Sequence, residues 1–169
     1  ADAITNAKIA AAAFSEEQFD ADAAARLRLG MKVTKAAAGI FDGTLKTLFT
    51  VAGGRVLVTS LSMEVSVAAI DAAPSATKFV SNPTVGTDMD LCATLDINAD
   101  EVGTLYSLTG TPADAMTGGS GGGAPTMKQP VIVPEGTICV NTAADVDAGG
   151  AQGSAEVWYV PLDTGATIA

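Results

Sequence analysis

Residues 55–68 read Arg-Val-Leu-Val-Thr-Ser-Leu-Ser-Met-Glu-Val-Ser-Val-Ala, and no other stretch restricts the fold as strongly. Apolar and small polar side chains alternate there with a period of two, the period of a strand buried on one face. The alternation places Leu57, Thr59, Leu61, Met63, Val65 and Val67 on one face, and Val56, Val58, Ser60, Ser62, Glu64 and Ser66 on the other. Asp90 to Asn98 repeats the scheme, with Leu91, Ala93, Leu95 and Ile97 inward and Cys92, Thr94, Asp96 and Asn98 outward. Leu45, Thr47, Phe49 and Val51 form a third stripe. Further strands are expected at 77–81, 103–109, 127–133, 137–142 and 153–161. Turn signals separate them: Asp42-Gly43, Gly53-Gly54, Asn82-Pro83, Pro134-Glu135-Gly136 and Gly149-Gly150.

Strands recurring at this interval without helices between them predict an antiparallel sandwich or barrel. About eight strands suit a jelly roll or a related β-sandwich, preceded by a partly helical N-terminal arm. An immunoglobulin-like sandwich is the nearest rival, but Trp158 follows both Cys92 and Cys139 instead of lying between them. Aromatic residues make up only 5 % of the chain, so the core must rest on Val, Leu, Ile and Ala. The two cysteines fall inside expected strands and are read as reduced, half-buried side chains.

The first 30 residues differ in kind from the rest, and the arm is assigned to 1–35 and the β-body to 36–169. Ser15-Glu16-Glu17-Gln18 is a capping box, and Phe14 and Phe19 fall at the positions of a hydrophobic staple. Glu16 and Glu17 suit a helix N-terminus, Arg26 and Arg28 a C-terminus, and Gly30 a stop. A helix is expected over residues 16–29. The glycine-rich run 118–123 is expected to be a flexible loop tip.

Charge is unevenly spread. Residues 1–55 hold seven of the nine bases and six acids, a net +1, whereas residues 56–169 hold two bases against thirteen acids, a net −11. Such an acidic body repels a phosphate backbone, so no nucleic-acid partner is expected. No run of about 18 apolar residues is present, and no membrane partner is expected. The stretch from Arg26 to Arg55, with Lys32, Lys35 and Lys46, is read either as solvated surface or as a basic arm that docks on an acidic partner.

The chain contains no histidine, which removes the commonest general base and the Ser-His-Asp and Cys-His arrangements. No enzyme activity, cofactor or metal site is expected. The glycine run lacks the Gly-Lys-Ser/Thr of a phosphate loop. Asp96-Ile97-Asn98-Ala99-Asp100 opens like a calcium loop, but Glu101 stands where glycine is needed and Ser107 where a ligating Glu belongs. Asp88, Asp90, Asp96, Asp100 and Glu101 are therefore read as solvated carboxylates, with an incidental calcium site as the alternative. Trp158 and Tyr159 are adjacent in the last long strand, so one should face the core and the other outward, where it could anchor an interface.

The segments AAAGIFDGTLKTLFTVAGGRVLVTSLSMEVSVAAI, DLCATLDINADEVGTLYSLTG and PVIVPEGTICVNTAADVDAGGAQGSAEVWYVPLDTGATI span most of residues 36–168. Together they resemble head proteins of tailed bacteriophages, and the resemblance implies a capsid decoration, or cement, protein. It further implies a compact β-fold, often a homotrimer, seated on the capsid surface of the virion after synthesis in the host cytoplasm. Its partner would be the major capsid protein, clamped across neighbouring subunits. Phe14, Phe19, Arg26, Arg28, Lys32, Lys35, Trp158 and Tyr159 are the candidate contacts to the capsid or to other copies. The alternative is a tail or head-fibre module, or a secreted lectin-like domain, that binds a surface glycan.

Overall fold

A computed structural model describes residues 30–73, 75–119 and 123–169. The helix expected at 16–29, with Phe14, Phe19, Arg26 and Arg28, lies outside the described residues. Those residues form twelve strands and no helix: β1 (Met31–Ala38), β2 (Leu45–Ala52), β3 (Val56–Val65), β4 (Ala76–Pro83), β5 (Met89–Asp90), β6 (Leu95–Asp96), β7 (Leu105–Ser107), β8 (Thr117–Gly119), β9 (Val131–Val133), β10 (Gly136–Thr142), β11 (Gly153–Pro161) and β12 (Thr167–Ile168). They build two six-stranded antiparallel sheets. The first runs β1-β11-β3-β7-β8, with β9 also on β3; the second runs β12-β2-β10-β4-β5, with β6 also on β4. From β1 to β4 the chain alternates between the sheets, so the turns between these strands carry it across the core instead of closing hairpins.

The core is one apolar cluster drawn from both sheets. Val56, Val58, Leu61, Met63, Val65, Val157 and Tyr159 come from the first, and Phe49, Val51, Phe79, Ile138 and Val140 from the second. Ile40 and Phe41, in the turn after β1, close one side. They can do so because Gly153 has no side chain: a Cβ there would lie 2.5 Å from Ile40 Cδ1 and 2.8 Å from Phe41 Cζ.

The two long patterned strands depart from simple alternation. Tyr159 pairs with Val58 but Trp158 with Ser60, so β3 carries one extra residue at Thr59. This bulge resets the face. Val56 and Val58 point into the core before it, and Leu61, Met63 and Val65 after it. The single stripe expected from Leu57 to Val67 is thus two half-stripes on one side of the sheet, with Leu57 and Val67 outside. A second bulge, at Leu48 in β2, turns Leu48, Phe49 and Val51 inward. It leaves Leu45 40 % exposed and Thr47 on the surface, where both were expected inside.

Four other expectations are corrected. Asp90 to Asn98 is not one strand: only Met89–Asp90 and Leu95–Asp96 pair, both with β4. Cys92 is fully buried, not outward, with its sulfur 3.3 Å from the Phe79 amide. Gly118 and Gly119 belong to β8, paired to Tyr106 and Leu105, and so are not part of a loose tip; residues 120–122 lie outside the described residues. Residues 31–35, assigned above to the arm, form the first half of β1 and pair with β11. Both cysteines are free and buried.

Gly153→Ala should lower the unfolding free energy by about 1–3 kcal/mol, because Ile40 and Phe41 must leave their positions. A shifted urea midpoint with an unchanged slope would record it; an unchanged midpoint would show that the turn after β1 does not press on β11.

Candidate functional site

The outward face of the β11-β3-β9 strip carries the features most suited to meeting another molecule. Val160 pairs with Leu57, and Leu57 with Ile132 on its other side. Directly opposed residues of an antiparallel pair share a face, and the flanking Tyr159, Val58 and Val133 are buried. The three apolar side chains therefore form an outward row across three strands, with Ile132 56 % and Val160 38 % exposed. Residue-level reading had passed over this row. The signal was present in Val56-Leu57-Val58 and Val131-Ile132-Val133: three consecutive apolar residues in a strand put at least one apolar side chain on each face, so one face of the sheet there carries an apolar residue whichever side is buried.

Further along the same face Trp158 leans on a charged pair. Its Nε1 donates to Glu156 Oε1 at 2.6 Å, and Lys32 Nζ lies 2.5 Å from Glu156 Oε2 and 5.6 Å from the indole centroid. Lys32 sits opposite Trp158 in the β1–β11 register, which brings ammonium, carboxylate and ring together. Beside them opens a groove of about 360 Å³, lined by Ser60, Ser62, Thr126, Met127, Glu156 and Trp158 among others. Trp158 is thus the outward member of the aromatic pair. Tyr159 is 3 % exposed and packs in the core, so it is withdrawn as a surface contact.

Among the described residues, the bases of this stretch do not form a basic patch. Lys32 and Lys35 are three apart on a strand and so lie on opposite faces of β1. Lys32 is held by Glu156, Lys46 by Asp42 at 2.7 Å, and Arg55 by Asp163 at 2.8 Å. Lys35 has no such partner among the described residues. Among the described bases of that stretch, Lys32, Lys46 and Arg55 are matched by acids of their own chain.

Arg55 and Asp163 make the most complete of these contacts. The carboxylate accepts from Arg55 Nε at 3.0 Å, from its NH2 nitrogen at 2.8 Å and from its backbone amide at 2.7 Å. These bonds tie the segment after β11 to the turn before β3 and pull the Asp163 carboxyl down to about 2. Elsewhere, burial and then neighbouring Asp145 push the Asp147 carboxyl above its ordinary value. Burial and then the Asp100 carboxylate, 2.5 Å away, push the Tyr106 phenol up.

Three of the five carboxylates weighed for calcium have local roles. Asp96 Oδ1 accepts from the Ser75 and Asn98 amides, Asp100 accepts from Tyr106, and Asp90 pairs with Lys78. Among the described residues no group of three or more His, Cys, Asp or Glu side chains is arranged to hold a metal ion. Also among them, no helix is long and apolar enough to cross a membrane. No family model, no curated protein and no solved structure matches this chain.

The Asp163 contact has a definite pH signature. The folded state favours the ionised carboxylate, so its contribution to stability is complete above the ordinary value of 3.8 and is lost as pH falls towards about 2. Carboxyl NMR should show Asp163 titrating near 2 in the wild type and higher, though still below 3.8, in Arg55→Ala, which keeps the bond from the backbone amide. Equal midpoints in the two proteins would mean that the guanidinium does not set this value.

Proposed function

We propose that this protein is a structural virion component, a decoration protein that binds across neighbouring major capsid subunits and stabilises the shell. The observation that carries the reading is the outward row Val160, Leu57 and Ile132. It is an apolar strip on the face of a sheet, suited to burial against another protein surface. The resemblance of residues 36–168 to phage head proteins supports the same reading. So does the kind of chemistry the chain offers. It has surface area and a rigid β-framework, without histidine or a described metal cluster.

The fold reading belongs with this proposal: we infer a jelly roll. Taking β5 with β6 as one element and β7 to β9 as another leaves eight elements in chain order, followed by the two-residue β12, which adds to the edge beside β2. The first sheet then reads first, eighth, third, sixth, and the second reads second, seventh, fourth, fifth. Two interlocked Greek keys produce that order. Assembly as a homotrimer would multiply weak contacts through effective concentration, so that each single site need not be tight.

The test is co-sedimentation of the purified chain with capsids stripped of accessory proteins. Saturable binding at a fixed stoichiometry is expected, and no binding to any matched capsid would remove the reading. Leu57→Asp and Ile132→Asp should each weaken occupancy about tenfold or more, the effect of losing an interface side chain worth more than 1 kcal/mol. Both positions face outward, so circular dichroism should show the fold intact. Undiminished binding by both variants would place the capsid contact elsewhere.

A further inference from the structure

We propose that the groove beside Trp158 is a binding site for a neutral oligosaccharide, a function separate from capsid attachment and not dependent on it. The groove lies beyond the apolar row on the outward face of β3 and β11, with residues 124–127 along one side. Its volume of about 360 Å³ falls within the usual span of small-molecule clefts, about 300–1,000 Å³.

The lining matches the two faces of a pyranose ring. A sugar presents C–H groups on its flat faces and hydroxyls around its rim. The indole of Trp158 offers an apolar, polarisable surface for the former. Ser60, Ser62 and Glu156 offer donors and acceptors for the latter. The hydroxyls of Ser60 and Ser62 have no hydrogen-bond partner among the described residues. Glu156 spends one oxygen on Trp158 and the other on Lys32. A carboxylate has about four lone-pair sites, so each oxygen can accept once more, from a sugar hydroxyl.

The same two bonds hold the platform in place. Nε1 is tethered to Glu156, and Lys32, which does not line the groove, contacts the ring. The indole is thereby oriented before any ligand arrives, which limits the ordering cost of binding.

Charge selects the class. Lys32 and Glu156 cancel, and the chain as a whole carries −10, so a phosphate or a carboxylated sugar gains nothing here. An extended peptide fits less well. The floor is the centre of a sheet, where the backbone of β3 and β11 is already paired, and an added strand needs a free edge.

The experiment uses the full chain and its single tryptophan. Cellotriose, chitotriose and maltotriose are titrated while Trp158 fluorescence and backbone amide shifts are followed. At least one should give saturable changes, with Kd on the order of 1 mM, mapping to β3, β11 and residues 124–127. Trp158→Ala should weaken that binding at least tenfold, and Glu156→Gln should weaken it with the fold retained. Leu57→Asp, which tests capsid attachment, should leave it unchanged, so the two proposals can fail separately. No saturable change with any of the three sugars would overturn the assignment. So would shifts mapping elsewhere, or unchanged affinity in both Trp158→Ala and Glu156→Gln.

Discussion

Nine residues of β11 hydrogen-bond along ten of β3, and the extra residue is taken up at Thr59. Much of the molecule follows from that mismatch. Without it, the strict alternation of β3 would bring either Val56 and Val58 or Leu61, Met63 and Val65 to the core, but not both sets. With it, five apolar side chains of one strand enter the same cluster. A core with few aromatic residues needs such economy. Each Val or Leu contributes about 1.5–3 kcal/mol on full burial, so leaving half a strand outside would forfeit several side chains' worth of stabilisation.

The bulge also fixes what the outer face looks like. Before Thr59 the outward residue is Leu57, next to Val160 and Ile132; after it the outward residues are Ser60 and Ser62, next to Trp158 and Glu156. The face therefore divides into an apolar strip and a hydroxyl-lined groove at the point where the ladder slips. The two proposed contacts, protein on one part and sugar on the other, trace back to one irregularity in strand pairing.

What could be read from the residues alone followed this physics closely. Strands with one buried face and clear turns, such as Gly153–Pro161 and Gly136–Thr142, were legible because period-two alternation and flanking glycines agree. β1 was not. Lys-Val-Thr-Lys followed by three alanines has no strong apolar face, and its strand state comes from pairing with β11. The bulges in β2 and β3 left no local mark, since an extra residue shows only when the partner strand is counted. Cys92 was misplaced because its segment leaves the sheet between β5 and β6, so alternation no longer decides direction. For the site, Lys32 and Trp158 were singled out, but not that Glu156 joins them. That contact depends on the β1–β11 register, a long-range fact. Tyr159 could be paired with Trp158 as opposites, though not assigned inward without knowing the core.

The sheet edges bear on how this protein can associate. Open strand edges invite endless pairing between copies, and natural sheets blunt them with short strands, lysines and bulges. Here β5, β8 and β12 are two or three residues long. The long edge strand β1 carries Lys32 and Lys35 and loses register between Lys35 and Ala38. Edge-to-edge growth is thus disfavoured where it would be easiest. The proposed decoration role would call for contacts of limited extent on a face, and the row through Leu57 is of that kind. The Arg55–Asp163 contact anchors the chain immediately after Val160 to the turn immediately before β3. That holds the β11 and β3 parts of the row in register with each other, so the apolar strip is presented as a fixed shape.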